Sequence, residues 1–121
     1  MPHKFQIAGA KGGQFIARFS YNSEVMVWSE TYTSAASAKN CIESIKKNAP
    51  EAPVVDLTKG ETGKGYRFEI DAAKNGETFF RFVARNGETM VRSETYKAKA
   101  SAKHCIASIK KNAPGAATVD G

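Results

Sequence analysis

Residues 29–50, SETYTSAASAKNCIESIKKNAP, return as residues 93–114, SETYKAKASAKHCIASIKKNAP. Of the 22 aligned positions 17 are identical, too many for shared composition, so the chain is an internal duplication. The repeated stretch also declares its own structure. Ala38, Cys41, Ile42, Ile45 and Ala49 fall at i, i+3, i+4, i+7 and i+11, and Ala102, Cys105, Ile106, Ile109 and Ala113 repeat that spacing. This is one apolar stripe of an amphipathic helix. Thr33 or Ser34 can cap the first helix by accepting a free N–H. Lys46-Lys47 and Lys110-Lys111 place positive charge at the negative end of the macrodipole. Pro50 and Pro114 forbid continuation.

Upstream of each helix the period changes to two. Phe5-Gln6-Ile7 and Phe68-Glu69-Ile70 alternate apolar with polar, the signature of a half-buried strand. Lys11-Gly12-Gly13 and Lys74-Asn75-Gly76 read as hairpin turns, because Gly and Asn accept positive φ at little cost. Phe15 to Phe19 and Thr78 to Val83 are second strands. Asn86-Gly87 is a type I′ signal with Asn22-Ser23 as its weaker counterpart. Val25 to Ser29 and Thr89 to Ser93 are third strands. Partners lie 63 positions apart from Phe5 to Phe19 and 64 apart from Asn22 onward, so one extra residue sits in the turn between Phe82 and Asn86. Downstream, Val54-Val55 and Thr118-Val119 are short fourth strands. The stretch 58–65 reads as a flexible, polar linker. The expected organisation is a single domain, 1–121, of repeat 1 (3–57) and repeat 2 (66–120). A lone repeat of roughly 55 residues would be marginal, so the halves are expected to share one core.

Hydrophobic residues make up 41% of the chain, enough for a core and too many for disorder. No apolar run approaches the ~18 residues of a transmembrane helix, so no membrane span is expected. Met1-Pro2-His3-Lys4-Phe5 shows no long apolar stretch of the kind that directs secretion. Cys41 and Cys105 hold equivalent sites on the helical stripe, where reduced, buried thiols in a cytoplasmic protein are expected. The net charge is +6. Between Thr95 and Val119 stand five lysines and no acid. Such a surface attracts polyanions or simply keeps a protein soluble.

The order and spacing of these features resemble the YegP-like family of small bacterial proteins. The resemblance rests on the Asn86-Gly87-Glu88 turn, the two Ser-Glu-Thr-Tyr segments, and helices ending Ile-x-x-Ile-Lys-Lys-Asn, and it runs from Phe5 to Pro114. The first repeat departs from it with Asn22-Ser23-Glu24. The resemblance implies an α+β fold of two tandem β3-α-β repeats that share one antiparallel sheet. Both helices would lie on one face, with the C-terminal strands exchanged between repeats. It implies no established activity.

Catalytic and metal constellations are not visible. His3 and His104 do not pair with cysteines at ligand spacing, so no metal or cofactor is expected. His104 and Cys105 are adjacent and should point to different sides of their helix. Neither cysteine has an adjacent base to activate it. The small side chains Ser37, Cys41, Ser44 and Asn48, repeated as Ser101, Cys105, Ser108 and Asn112, read as packing. Glu30 and Glu94, beside Tyr32 and Tyr96, could pair across a pseudo-twofold as acid and base. Strand alternation assigns Phe5, Ile7, Ala17, Phe19, Phe68, Ile70, Phe80 and Phe82 to the helix side. The opposite face would carry Ile16, Arg18, Phe79, Arg81, Trp28 and Arg92. The facing of the third strands stays open, because Met26 and Val27 are both apolar.

Three readings follow. The first is a non-enzymatic binding or interaction module. The second is single-stranded nucleic-acid binding on the open face through Arg18, Trp28, Phe79, Arg81 and Arg92, or polyanion contact through Lys103, Lys110 and Lys111. The third is an enzyme with an unfamiliar site at the pseudo-twofold. Because the duplication supplies internally what a one-repeat chain would get by pairing, a monomer is expected.

Overall fold

The computed structural model describes residues 3–22 and 24–120. Each repeat contributes three strands, a helix and a short last strand. Repeat 1 gives β1 (His3–Ala10), β2 (Gln14–Tyr21), β3 (Glu24–Tyr32), α1 (Ala35–Asn48) and β4 (Val54–Asp56). Repeat 2 gives β5 (Arg67–Ala72), β6 (Thr78–Val83), β7 (Thr89–Ser93), α2 (Lys99–Asn112) and β8 (Ala117–Asp120). All eight strands form one sheet in the order β4-β5-β6-β7-β3-β2-β1-β8. The last strands are exchanged as expected: β4 pairs with β5 of the other repeat, and β8 with β1.

One feature differs from the expectation. The sheet is mixed, because both exchanged edge strands run parallel to their neighbours while the inner six are antiparallel. A parallel neighbour requires the chain to travel back along the strand it has just made. Residues 57–66 do this between β4 and β5, as a pinned return loop rather than a flexible linker. Glu61 accepts from the Asp56 N–H at 2.8 Å and returns its own N–H to the Asp56 carbonyl at 3.2 Å. Lys99 at the start of α2 reaches the Asp56 carboxylate at 2.8 Å and the Thr58 hydroxyl at 2.6 Å. Gly63 passes so close to β4 that a Cβ there would lie 2.6 Å from Val55 Cγ2.

Both helices cover one face of the sheet. Their stripes, Ala38/Cys41/Ile42/Ile45 and Ala102/Cys105/Ile106/Ile109, meet all eight sheet residues assigned to that side. Five phenylalanines (Phe5, Phe19, Phe68, Phe80 and Phe82) are at most 1% exposed, and truncating one such side chain costs about 3–5 kcal/mol. Ser34 caps α1 by accepting the Ser37 N–H at 3.2 Å. Its counterpart Ala98 offers no side-chain cap to α2.

β3 carries two bulges and β7 one, and the counterpart of the second falls at the end of β7, before the isolated bridge of Thr78 with Tyr96. Phe19 pairs with Val27 and Ser20 with Val25, leaving Met26 as the extra residue; Phe82 with Val91 and Val83 with Thr89 leave Met90. A bulge turns two successive side chains to one face, so Met26 joins Val27 in the core and Met90 packs against it beside Val91. At the second bulge Ser29 Oγ accepts from the Ala17 N–H at 2.9 Å and donates to the Glu30 carbonyl at 2.7 Å. Ser93 does the same with Phe80 at 3.0 Å and Glu94 at 2.7 Å.

The turns also differ in detail. Gly87 has φ 85° while Asn86 does not enter the left-handed region, and Ala84 accepts from Gly87 and donates to Glu88. The extra residue of repeat 2 therefore makes a three-residue loop closed by a left-handed glycine, rather than the type I′ turn. In repeat 1, Tyr21 pairs with Glu24 and Asn22 takes φ 55°. Ser23, the other half of the turn expected there, lies outside the described residues.

Candidate nucleic-acid interface

The strand registers align one residue from every strand into a row across the uncovered face. From one edge it reads Val119, Gln6, Arg18, Trp28, Arg92, Arg81, Glu69 and Val55. The pseudo-twofold passes between Trp28 and Arg92, which are direct partners on the central β3–β7 pair. Arg18 to Arg81 spans three strand spacings, about 14 Å. Phe79, two residues before Arg81 on β6, lies beneath two guanidinium groups: Arg92 is 5.3 Å and Arg81 5.5 Å from its ring centre. Trp28, Phe79, Arg81, Arg92 and Glu30 border a depression of about 370 Å³. The fold thus places all five sheet-face candidates on one surface, four of them around one concavity.

Their charges are not equivalent. Arg81 is held by Glu69 at 3.1 Å and by Asp71 at 3.1 Å, and Glu69 also takes Arg67 at 2.8 Å. Arg18 and Arg92 have no carboxylate partner among the described residues. Gln6 stands opposite Arg18 where Glu69 stands opposite Arg81, so the two halves of the row differ in available positive charge. Two substitutions between the repeats make the site single. Trp28 is replaced by Arg92 in the second repeat, and Phe79 by Ile16 in the first.

The lysine candidates lie elsewhere. Lys103, Lys110 and Lys111 belong to α2, on the covered side of the sheet. Lys110 donates to the Ala52 carbonyl at 2.8 Å, while Lys103 and Lys111 are exposed. The arginine row and the helix lysines therefore cannot form one surface.

The carboxylates proposed to meet at the pseudo-twofold do not. Glu30 is two residues beyond Trp28 and Glu94 two beyond Arg92, in opposite directions along the ladder. That is four residues of separation, or roughly 13 Å, too far for a dyad. Tyr32 packs beside Cys41 and Tyr96 beside Cys105. Burial pushes both phenols far above their ordinary range and both thiols up, leaving Cys41 and Cys105 protonated and weakly nucleophilic. A second concavity, about 430 Å³, lies between β1, the start of β3 and α2, bordered by His3, Glu24, Tyr96, His104 and Cys105 among others. His104 and Cys105 both border it, although one is exposed and the other buried. Among the described residues no group of three or more His, Cys, Asp or Glu could hold a metal ion. No described helix is long and apolar enough to cross a membrane.

Glu30, singled out from the sequence only as half of an acid/base pair, instead lines the depression; two residues that bear on the site were not singled out at all, Glu69 and Asp71. The last two were legible in principle. Phe68 and Ile70 face the core, so Glu69 and Asp71 must face the arginines.

Comparison with known proteins agrees with this architecture. The family model described as Domain of unknown function (DUF1508) matches twice, over residues 10–56 and 73–120. A UPF0339 protein of Bordetella pertussis is 38% identical over 112 residues, covering 92% of this chain and 89% of the relative. A UPF0339 protein of Caulobacter vibrioides is 60% identical over 58 residues, which are 48% of this chain but 98% of the relative, so that relative is about one repeat long. The solution NMR structure of yegP from E. coli, described as a protein of unknown function, matches with a TM-score of 0.79 at 28% identity, covering 100% of this chain and 94% of that one. The chain belongs to the DUF1508 family as a two-repeat, YegP-like member, and no activity is established for the family.

Proposed function

We propose that this two-repeat DUF1508 protein is a non-enzymatic binding module that takes single-stranded nucleic acid on its open sheet face. The observation that carries the reading is the row Arg18-Trp28-Arg92-Arg81, with Phe79 beside it. Bases stack on aromatic faces whatever their identity, and guanidinium groups meet the phosphates between them. Arg18 and Arg92 serve the phosphates, since Arg81 is already held by acids. A duplex hides its bases and offers only its backbone to such a flat surface.

The module works as a cytoplasmic monomer on this reading. Both edge strands are exchanged within one chain, so the sheet needs no second copy, and both cysteines are free and buried. Light scattering that found a stable dimer at micromolar concentration would contradict the monomer.

Fluorescence anisotropy of labelled mixed-sequence single-stranded DNA, RNA and duplex tests the function at about 50 and 200 mM salt, the range in which phosphate contacts reveal themselves. Single strands should bind more tightly than duplex and keep measurable affinity at the higher salt. Arg18→Ala and Arg92→Ala should each flatten the salt dependence by about one phosphate contact. Equal binding of duplex and single strand, lost together with salt, would leave only nonspecific charge.

A further inference from the structure

We infer that the depression beside Trp28 is a pocket for one base and that it selects guanine through Glu30. This deepens, and rests on, the single-strand reading above. The depression holds about 370 Å³, at the small end of ligand sites and of a size for one nucleotide rather than a larger ligand. Its aromatic members are Trp28 and Phe79, and its polar groups are of both signs: Glu30 on one side, Arg81 and Arg92 on the other. A carboxylate has no use in a site that only holds phosphate, because it repels the backbone. Among the described residues the exposed Glu30 side chain makes no hydrogen bond or ion pair, while Arg81 is engaged by Glu69 and Asp71 and Arg92 lies over the Phe79 ring.

A lone carboxylate accepts two parallel N–H bonds from a group that presents them side by side. Of the four bases only guanine does so, with N1–H and the N2 amino group on its Watson–Crick edge. Adenine and cytosine offer one exocyclic amino group beside an acceptor that would face the second oxygen, and thymine offers one N–H between two carbonyls. Guanine's O6 and N7 are, in addition, the commonest base acceptors for arginine. Arg92, exposed and without a carboxylate partner among the described residues, carries N–H donors enough to meet O6 or N7 as well as the phosphate beside it. The pocket is single: at the symmetry-related place Ile16 replaces Phe79 and the tryptophan and arginine of the central pair are interchanged. One guanine per chain follows.

The test uses nine-residue strands of dT carrying a central dG, dA, dC or dT, titrated into the intact protein, with GMP and AMP as separate probes. The dG strand should bind about five-fold or more tighter than the others, the discrimination one bidentate contact supplies. Glu30→Gln should abolish most of that preference, bringing the dG strand to the affinity of the other three in the same variant. Equal binding of all four strands, or a guanine preference that survives Glu30→Gln, overturns the inference and leaves the single-strand reading standing. GMP bound as tightly as the dG strand would keep guanine as the ligand and overturn the strand as its source. Failure of every strand and both mononucleotides to bind overturns both.

Discussion

Replacing Ser29 or Ser93 by alanine removes one oxygen that holds a bulge together. Ser29 is 4% exposed and Ser93 1%. Each hydroxyl accepts a backbone N–H from the adjacent second strand, at 2.9 Å from Ala17 and 3.0 Å from Phe80. The bulge displaces the ladder carbonyl that would otherwise meet each N–H, and the serine hydroxyl takes its place. Alanine leaves that N–H buried and unsatisfied, at a cost of about 1–3 kcal/mol. For a chain of this size roughly 3–5 °C is lost per kcal/mol, so a mid-range penalty lowers the melting temperature by roughly 6–10 °C. The duplication supplies an internal replicate: Ser29→Ala and Ser93→Ala should cost nearly the same, and Ser101→Ala, exposed on α2, should cost less than about 0.5 kcal/mol. Thermal melts by circular dichroism, with urea titrations to confirm the free energies, measure all three. A Ser29→Ala or Ser93→Ala protein melting within a degree of the parent would refute the account of the bulge. A large penalty at one serine and none at the other would refute its symmetry.

Other outcomes follow from the packing and the charges. The Lys99 ammonium and the Thr58 hydroxyl hold the Asp56 carboxyl down to about 2. Its folded value lies below the ordinary carboxylate range, so the stability it contributes is present above about pH 4 and is lost as pH falls toward 2; melting temperature followed over that window should drop, and Lys99→Met should make the drop shallower. Gly63→Ala should destabilise by about 1–3 kcal/mol through its clash with Val55, and a Gly63→Ala/Val55→Ala double variant should cost less than the two single changes summed. The buried thiols of Cys41 and Cys105, raised by desolvation, should react with a disulfide reagent at pH 8 only on unfolding; fast reaction of the native protein would show an exposed thiolate.

The helix half of each repeat was the most legible part of the chain, because the stripe from Ala38 to Ala49 carries period and stop signals within a few residues. The first two strands of each repeat were legible for the same reason: Phe5-x-Ile7 and Phe68-x-Ile70 bury one face without interruption. The third strands were not. Met26-Val27 breaks the alternation, and only the bulge, a tertiary pairing, explains how both side chains reach the core. The extra residue near Asn86 was visible, yet its effect of turning a two-residue loop into a three-residue one depends on where the ladder ends. Parallel pairing of β4 and β8 was hidden because strands of three or four residues carry no mark of direction. On the open face, Arg18, Phe79 and Arg81 could be assigned by alternation, but Trp28 and Arg92, on the irregular third strands, could not, and the order of all five in one row follows from inter-strand register. That Glu69 and Asp71 share the arginines' face was legible from Phe68 and Ile70, but which arginine they hold, Arg81, follows from that register. The distance between Glu30 and Glu94 is likewise a property of the central pairing, which no local pattern encodes.

Trp28 is the one tryptophan of the chain and stands at the centre of the row, so its own fluorescence reports the proposed contact without a label. Titration with unlabelled mixed-sequence single-stranded DNA should quench and saturate that emission, and a Trp28→Ala variant followed by anisotropy should bind with a several-fold loss, stacking being worth about 1–3 kcal/mol per base. Unchanged emission while the protein demonstrably binds single strands would place the nucleic acid elsewhere, and contradict the open sheet face as the site.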